Sequence, residues 1–157
     1  MKGSLLISQT ILLFIAILSC GCDNSPKKVV EIQQELNLSS DLYLKFYKEH
    51  SSYQIIVAEE GDINADGLCD LVLIYHNPRV GNRMCALMRK TDNTYEISNE
   101  FKAPVSNQNV YMRDIDDTPP VEFVVQGMKG AKTGFAIYRF VDGRIEDVFG
   151  EGMDDCC

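Results

Sequence analysis

Residues 61–75 read Gly-Asp-Ile-Asn-Ala-Asp-Gly-Leu-Cys-Asp-Leu-Val-Leu-Ile-Tyr, and this stretch combines the clearest chemistry and the clearest strand in the body of the chain. Oxygen-bearing side chains recur at Asp62, Asn64, Asp66 and Asp70, the first, third, fifth and ninth places of a nine-residue loop, with Gly67 at the sixth. Calcium is a hard cation that takes about six to eight oxygens at about 2.3–2.6 Å. Alternating short side chains aim several oxygens inward, Gly67 permits the sharp turn that alternation alone would not, and the Leu68 carbonyl can add a backbone oxygen. Three carboxylates crowded into so short a loop repel one another unless a cation joins them. One calcium site is therefore expected here, the competing reading being a metal-free turn rich in Asx hydrogen bonds. The loop is not an EF-hand: at the twelfth place, where that motif needs a bidentate Glu between helices, stands Leu73. Leu73 lies within Leu71–Tyr75, a continuous apolar run that reads as a buried strand.

The same pattern returns further along. GDINADGLCDLVLIY aligns without a gap with RDIDDTPPVEFVVQG at an offset of 52 residues, so that Asp62 falls on Asp114, Asn64 on Asp116, Asp70 on Glu122, Leu71 on Phe123 and Val72 on Val124. Each copy runs on into further strand-like segments: Arg83–Arg89 and Thr94–Ser98 joined by a turn at Lys90–Asn93, then Phe135–Phe140 and Arg144–Phe149 joined at Asp142-Gly143. Tyr53–Ala58 and Val121–Val125 are also β-rich, and Ser40–His50 opens with an N-cap residue and helix formers, predicting a short N-terminal helix. The expected fold is mainly all-β: two blade-like antiparallel meanders related by a degenerate 52-residue repeat, packed as a small propeller-like or sandwich unit. In the second copy Thr118 replaces the acid at the fifth place and Pro119 replaces the glycine, so Asp114, Asp116 and Glu122 are expected to keep a turn but to bind metal weakly or not at all.

A nine-residue acidic loop followed at once by a strand resembles the loops of FG-GAP and VCBS-type repeat proteins, which are blades of β-propellers. The resemblance lies mainly in Gly61–Tyr75 and weakly in Asp114–Val125. It implies Asp62, Asn64, Asp66 and Asp70 as side-chain ligands to calcium and Leu68 as a ligand through its carbonyl. A closed propeller needs at least about four blades. Roughly 137 residues, what remains after the leader described next, at about 50 per blade cannot supply them, which favours a compact two-sheet monomer over a unit completed by association.

The chain begins MKGSLLISQTILLFIAILSCGCDNSPKK. Lys2 is a short positive start, and Leu5–Leu18 is too short for a membrane span but fits the apolar region of a secretion signal. Ile17-Leu18-Ser19-Cys20 resembles the bacterial lipobox, with a branched apolar residue three places before the cysteine and a small one just before it. Cys20 is thus the expected lipidated residue. Cys22 is the alternative, which would leave an even set of cysteines in the body. Residues 1–19 read as a lipoprotein signal peptide, 20–28 as lipidated cysteine and tether, and 29–157 as a single β-rich repeat domain. Attached acyl chains contribute about 0.8 kcal/mol per buried methylene, and two or more hold firmly, so the expected place is the bacterial cell envelope, facing the periplasm or the surface.

The formal net charge of −8, from 23 acidic and 15 basic residues, argues against nucleic acid as a partner. The absence of tryptophan weakens a sugar-stacking surface. Cys69, Cys85, Cys156 and Cys157 are candidates for disulfides in an oxidising compartment, with the pairing open. Gly127–Gly134 lacks the Gly-Lys-Ser/Thr ending of a phosphate loop and reads as a basic hairpin, and His50 and His76 lack ligand-spaced companions. No catalytic triad, nucleophile elbow or zinc signature is present. The expectation is a non-catalytic, membrane-anchored binding or structural module with a protein partner in the envelope. The alternatives are a periplasmic enzyme or thiol-redox protein using Cys156 and Cys157, or an inhibitor of an envelope enzyme.

Overall fold

The computed structural model describes residue 38 and residues 40–151. The expected signal peptide, Cys20, Cys22, the expected tether and the Cys156-Cys157 pair lie outside the described residues.

The apolar run of the first copy is the middle of a strand, β2 (Asp70–Asn77), paired antiparallel with β1 (Gln54–Gly61) on one side and β3 (Gly81–Arg89) on the other. Two short strands, β4 (Tyr95–Ile97) and β5 (Phe101–Lys102), pair with opposite ends of β3 and complete the first sheet. The second sheet is a meander in chain order of β6 (Ser106–Arg113), β7 (Glu122–Lys129), β8 (Lys132–Val141) and β9 (Arg144–Glu151). The protein is thus mainly β, with one short helix among the described residues, α1 (Leu42–Glu49), ahead of two antiparallel sheets. The 52-residue repeat is a repeat of structure: β6 and β7 begin and end 52 positions after β1 and β2. Ala65 (φ 60°) and Asp117 (φ 57°) hold the same left-handed position in the two loops.

Side-chain alternation along the strands decides what stacks on what. From the first sheet, Val72, Ile74, Met84, Ala86 and Met88 enter a core shared with Val110, Phe123, Val125, Ala136, Tyr138 and Ile145 of the second. Leu71, Leu73, Tyr75, Cys85 and Leu87 point the other way, against Leu42, Tyr43 and Phe46 of α1. β2 therefore has no solvent face, which is why its sequence is continuously apolar instead of alternating. The sheets are also joined by Asn99, whose amide donates to the Ile145 carbonyl (3.0 Å) and whose Oδ1 accepts from the Ile145 N–H (2.8 Å).

The helix starts where Ser40 Oγ accepts from the Leu42 N–H (3.1 Å). Arg89 ties this entry point to β3 by donating to Ser40 Oγ (2.8 Å) and Asp41 Oδ1 (2.7 Å). Lys45 and Arg89 together hold the Asp41 carboxyl down to about 2.

Two strands were not expected. β6 reads Ser-Asn-Gln-Asn-Val-Tyr-Met-Arg, and Val110 is its one fully buried residue. Its strand character comes from pairing with β7 and from lying beside β1, not from an apolar period. β5 has two residues, too few to carry any period. Gly127–Gly134 is a hairpin, as read from its sequence, with β7 and β8 running to a turn at Gly130 (φ 62°). The pairing of Cys69 with Cys85, one of those left open, is not made: both are free thiols. Cys85 lies opposite Leu73 on β3, four residues along from Cys69, a strand rise of roughly 13 Å, where a disulfide needs Cα atoms within about 7 Å.

Close backbone approach fixes two glycines. A Cβ on Gly127 would sit 2.1 Å from Pro104 Cβ and 2.6 Å from Pro104 Cγ, whereas one on Gly61 would meet the flexible Met112 side chain, nearest atom 2.9 Å. Gly127→Ala is expected to destabilise by about 2–3 kcal/mol and Gly61→Ala by about 1 kcal/mol or less, read as midpoints of urea unfolding. Equal effects would mean that the rigid Pro104 ring does not confine Gly127.

Candidate metal centre

The first acidic loop connects β1 to β2 and is laced by its own side chains. The Asp66 N–H is shared between Asp62 Oδ1 (3.1 Å) and Asn64 Oδ1 (3.0 Å), so both oxygens lie about one hydrogen bond from a single atom. Asp62 Oδ2 accepts from the Gly67 N–H (2.9 Å), the Asn64 amide donates to Asp66 Oδ2 (2.9 Å), and the Leu68 N–H donates to Asp66 Oδ1 (2.8 Å). Ala65 and Gly67 (φ 80°) both take left-handed backbone, the sharp reversal for which glycine suits the sixth place. The loop thus brings Asp62, Asn64 and Asp66 to one turn, while the carboxylates of Asp62, Asp66 and Asp70 do not all come within 4.8 Å of one another.

Asp70 forms the base of the loop. It is fully buried; its Oδ2 accepts from the Ile63 N–H (3.2 Å) and its Oδ1 from the Arg89 N–H (2.8 Å), which clasp the loop to β3. Burial pushes its carboxyl up to about 6, the two backbone donors oppose the rise, and the charges of Asp66 and Asp62 add to it. Among the described residues no lysine or arginine forms an ion pair with Asp62, Asp66 or Asp70. The Arg89 guanidinium, brought close by the pairing of β3 with β2, is spent on Ser40, Asp41, Asn93 and the Cys69 carbonyl.

The second loop repeats the clasp: Glu122 Oε2 accepts from the Ile115 N–H (3.0 Å), as Asp70 does from Ile63, and Glu122 is buried. Beyond that the loops diverge. Carboxylate oxygens of Asp114, Asp116 and Glu122 all lie within 4.8 Å of one another, so this cluster of three acids could hold a metal ion. The expectation of a bare turn there with little metal capacity took account of the lost acid at Thr118 and the lost glycine at Pro119, but not of this convergence. Nor did it include Arg139, which reaches from β8 to donate to Asp116 Oδ2 (2.5 Å) and to ion-pair with Glu122. Nothing in the local sequence marks Arg139; it is brought to Glu122 by the register that sets Phe123 against Tyr138. The acids of the second loop are thus ion-paired to an arginine, whereas the nearest lysine to act on the first, Lys90, is paired with Glu96 and reaches Asp66 and Asp70 only at longer range.

The described thiols offer little nucleophilic chemistry. Cys85 is packed under α1, where burial pushes its thiol up to about 12, and Cys69 is raised as well by desolvation and then by Glu60. Comparison with protein-family models, with curated proteins and with solved structures gave no match.

A pH dependence follows from Asp70. Below its ordinary value of 3.8 both folded and unfolded chains hold the proton. As pH rises from there through about 6, the unfolded chain releases it first, so stability falls across that window. The loss by neutral pH is on the order of 3 kcal/mol. Asp41, held down to about 2, acts in a lower window, its contribution fading as pH falls from 3.8 through that value. Urea titrations in chelator at pH 4.5 and pH 7 are expected to show the fall in the native chain and little of it in Asp70→Asn. An unchanged slope in that variant would assign the dependence to another group.

Proposed function

We propose that this chain is a calcium-stabilised, non-catalytic lipoprotein of the bacterial envelope, a binding or structural module related to the FG-GAP and VCBS-type repeats. The carrying observation is the contrast between the loops. Each repeat buries a carboxylate at the start of its second strand; Arg139 compensates Glu122, whereas Asp70, with Asp62 and Asp66 near enough to raise it, has no ion pair among the described residues, and Lys90, paired with Glu96, acts on Asp70 and Asp66 only at longer range. A buried carboxylate without compensation is costly, and a divalent ion is the cation that Asp62, Asn64, Asp66 and Asp70 would share. Oxygen-only donors favour calcium over the softer transition metals, and an irregular loop of side-chain and carbonyl oxygens suits its larger shell better than the strict octahedron of magnesium. Leu68 would supply a carbonyl.

The second cluster is the competing site within the same molecule. A metal there must displace Arg139, and leaving that guanidinium unpaired has its own cost. One ion per chain, at the first loop, is the proposed stoichiometry.

The envelope location rests on Ile17-Leu18-Ser19-Cys20 and the apolar run before it. The intact mass of the exported protein checks this part: an acylated chain beginning at Cys20 supports it, one beginning at Cys22 moves the anchor, and a mass without acyl chains overturns it.

Calcium at about 100 times its dissociation constant is expected to stabilise the fold by about 2.7 kcal/mol, so EDTA should lower the melting temperature. Asp66→Ala should abolish the calcium response while Asp116→Ala keeps it. No change with chelator, together with no heat of calcium binding in calorimetry, would reject the ion. The reverse pattern in the two variants would move it to the second loop.

A further inference from the structure

The two sheets stack in a directional way. In the first, the odd-numbered positions of β2 (Leu71, Leu73, Tyr75) face α1 and the even-numbered Val72 and Ile74 face the second sheet. The repeat equivalents of Leu71 and Leu73 are Phe123 and Val125, and these face the first sheet. Equivalent faces thus point the same way, and the back of one repeat rests on the front of the next. The front of the first repeat is closed by α1. Among the described residues no helix or strand packs on the back of the second.

That open face carries an apolar row across all four strands. Tyr111 on β6 is the register partner of Val124 on β7, Val124 of Ile137 on β8, and Ile137 of Phe149 on β9. Phe149 is 52 % exposed and Tyr111 37 %; Ile137 between them is half-buried, and Val124, 6 % exposed, forms the floor of the row. Phe135, 37 % exposed, widens the row at one end, its ring centroid 5.8 Å from that of Phe149. Beside it runs a second register row of Arg113, Glu122, Arg139 and Glu146, in which the charges alternate and cancel.

We propose that this face binds a second copy of the chain, sheet against sheet, about a two-fold axis parallel to the strands. Three observations select that occupant. Head-to-tail continuation would need a free front face, and α1 covers the only one, so association between copies is driven to back against back and closes at two. The row is its own complement: read from β6 to β9 it runs aromatic, β-branched, β-branched, aromatic, so such an axis sets Tyr111 over Phe149 and Val124 over Ile137. The neighbouring row sums to zero charge in a chain of net charge −8, so two acidic copies meet here with little repulsion. The contact is modest. Four strands about 4.8 Å apart and eight residues long at about 3.3 Å each give roughly 500 Å² per copy. That is roughly 1,000 Å² in all, below a standard interface, so the dimer is a weak one. The proposal does not depend on the calcium reading, since the face lies away from the first loop.

Sedimentation equilibrium of the full exported chain, in a detergent density-matched to the solvent, tests it from about 5 to 500 µM. The mass is expected to pass from one copy to two across that range. Phe149→Glu and Tyr111→Glu, both at exposed positions, should each raise the dissociation constant at least tenfold with unchanged circular dichroism and melting. Val105→Glu, equally exposed at 53 % but off this face, should leave it unchanged. A monomer at every concentration overturns the proposal, as does a dimer that all three variants form equally well.

Discussion

Strand β2 has no side exposed to water, and the rest of the molecule is arranged around that fact. A strand with one wet face alternates; Leu71 to Tyr75 does not, so both faces must be covered. The second sheet covers one face and α1 the other. The helix is short and owes its place to the apolar surface beneath Leu42, Tyr43 and Phe46, since a free helix of this length would be marginal in water. The double burial also explains why the loop ahead of β2 is under electrostatic stress. Its last residue, Asp70, starts the strand and is carried into the interior with it.

The two repeats meet that stress differently. Both place a carboxylate at the root of the loop and both use it to grip the backbone two positions into the turn's start, at Ile63 and at Ile115. In the second repeat a longer acid, Glu122, reaches Arg139 on the neighbouring strand, and the charge is balanced within the chain. In the first, Arg89 turns its guanidinium to the helix entry, and the proposed ion would take up the balance. A repeat that has lost the acid at Thr118 and the glycine at Pro119 thus keeps the fold of its loop through a salt bridge. One that keeps all four oxygen side chains brings Asp62, Asn64 and Asp66 to one turn above the buried Asp70, with no ion pair to any of its acids among the described residues.

Stacking direction is the third consequence. Because the repeats pack back on front, the pair ends in two unlike faces, one closed by α1 and one displaying Tyr111, Ile137 and Phe149 over the buried Val124. A symmetric pairing of the two sheets would have left two identical outer faces. The directional one leaves a single apolar row.

Much of this was legible in the residues. The apolar run of β2, the Asp142-Gly143 and Lys90–Asn93 turns, the short helix and the 52-residue repeat are all local patterns, set by side-chain period and turn chemistry, which act over a few residues and need no partner to be read. The oxygen spacing of Asp62, Asn64, Asp66 and Asp70 is local in the same way. The tertiary structure decided what depends on register between distant strands. It made a strand of the polar Ser106–Arg113 by pairing it with β7, and it set Cys69 too far along from Cys85 to bridge. It chose which face of each repeat the other would cover, and it brought Arg139 onto Glu122. A one-residue slip in that register would turn Arg139 to the opposite face, which is why no reading of the loop's own sequence could have found the charge that balances it.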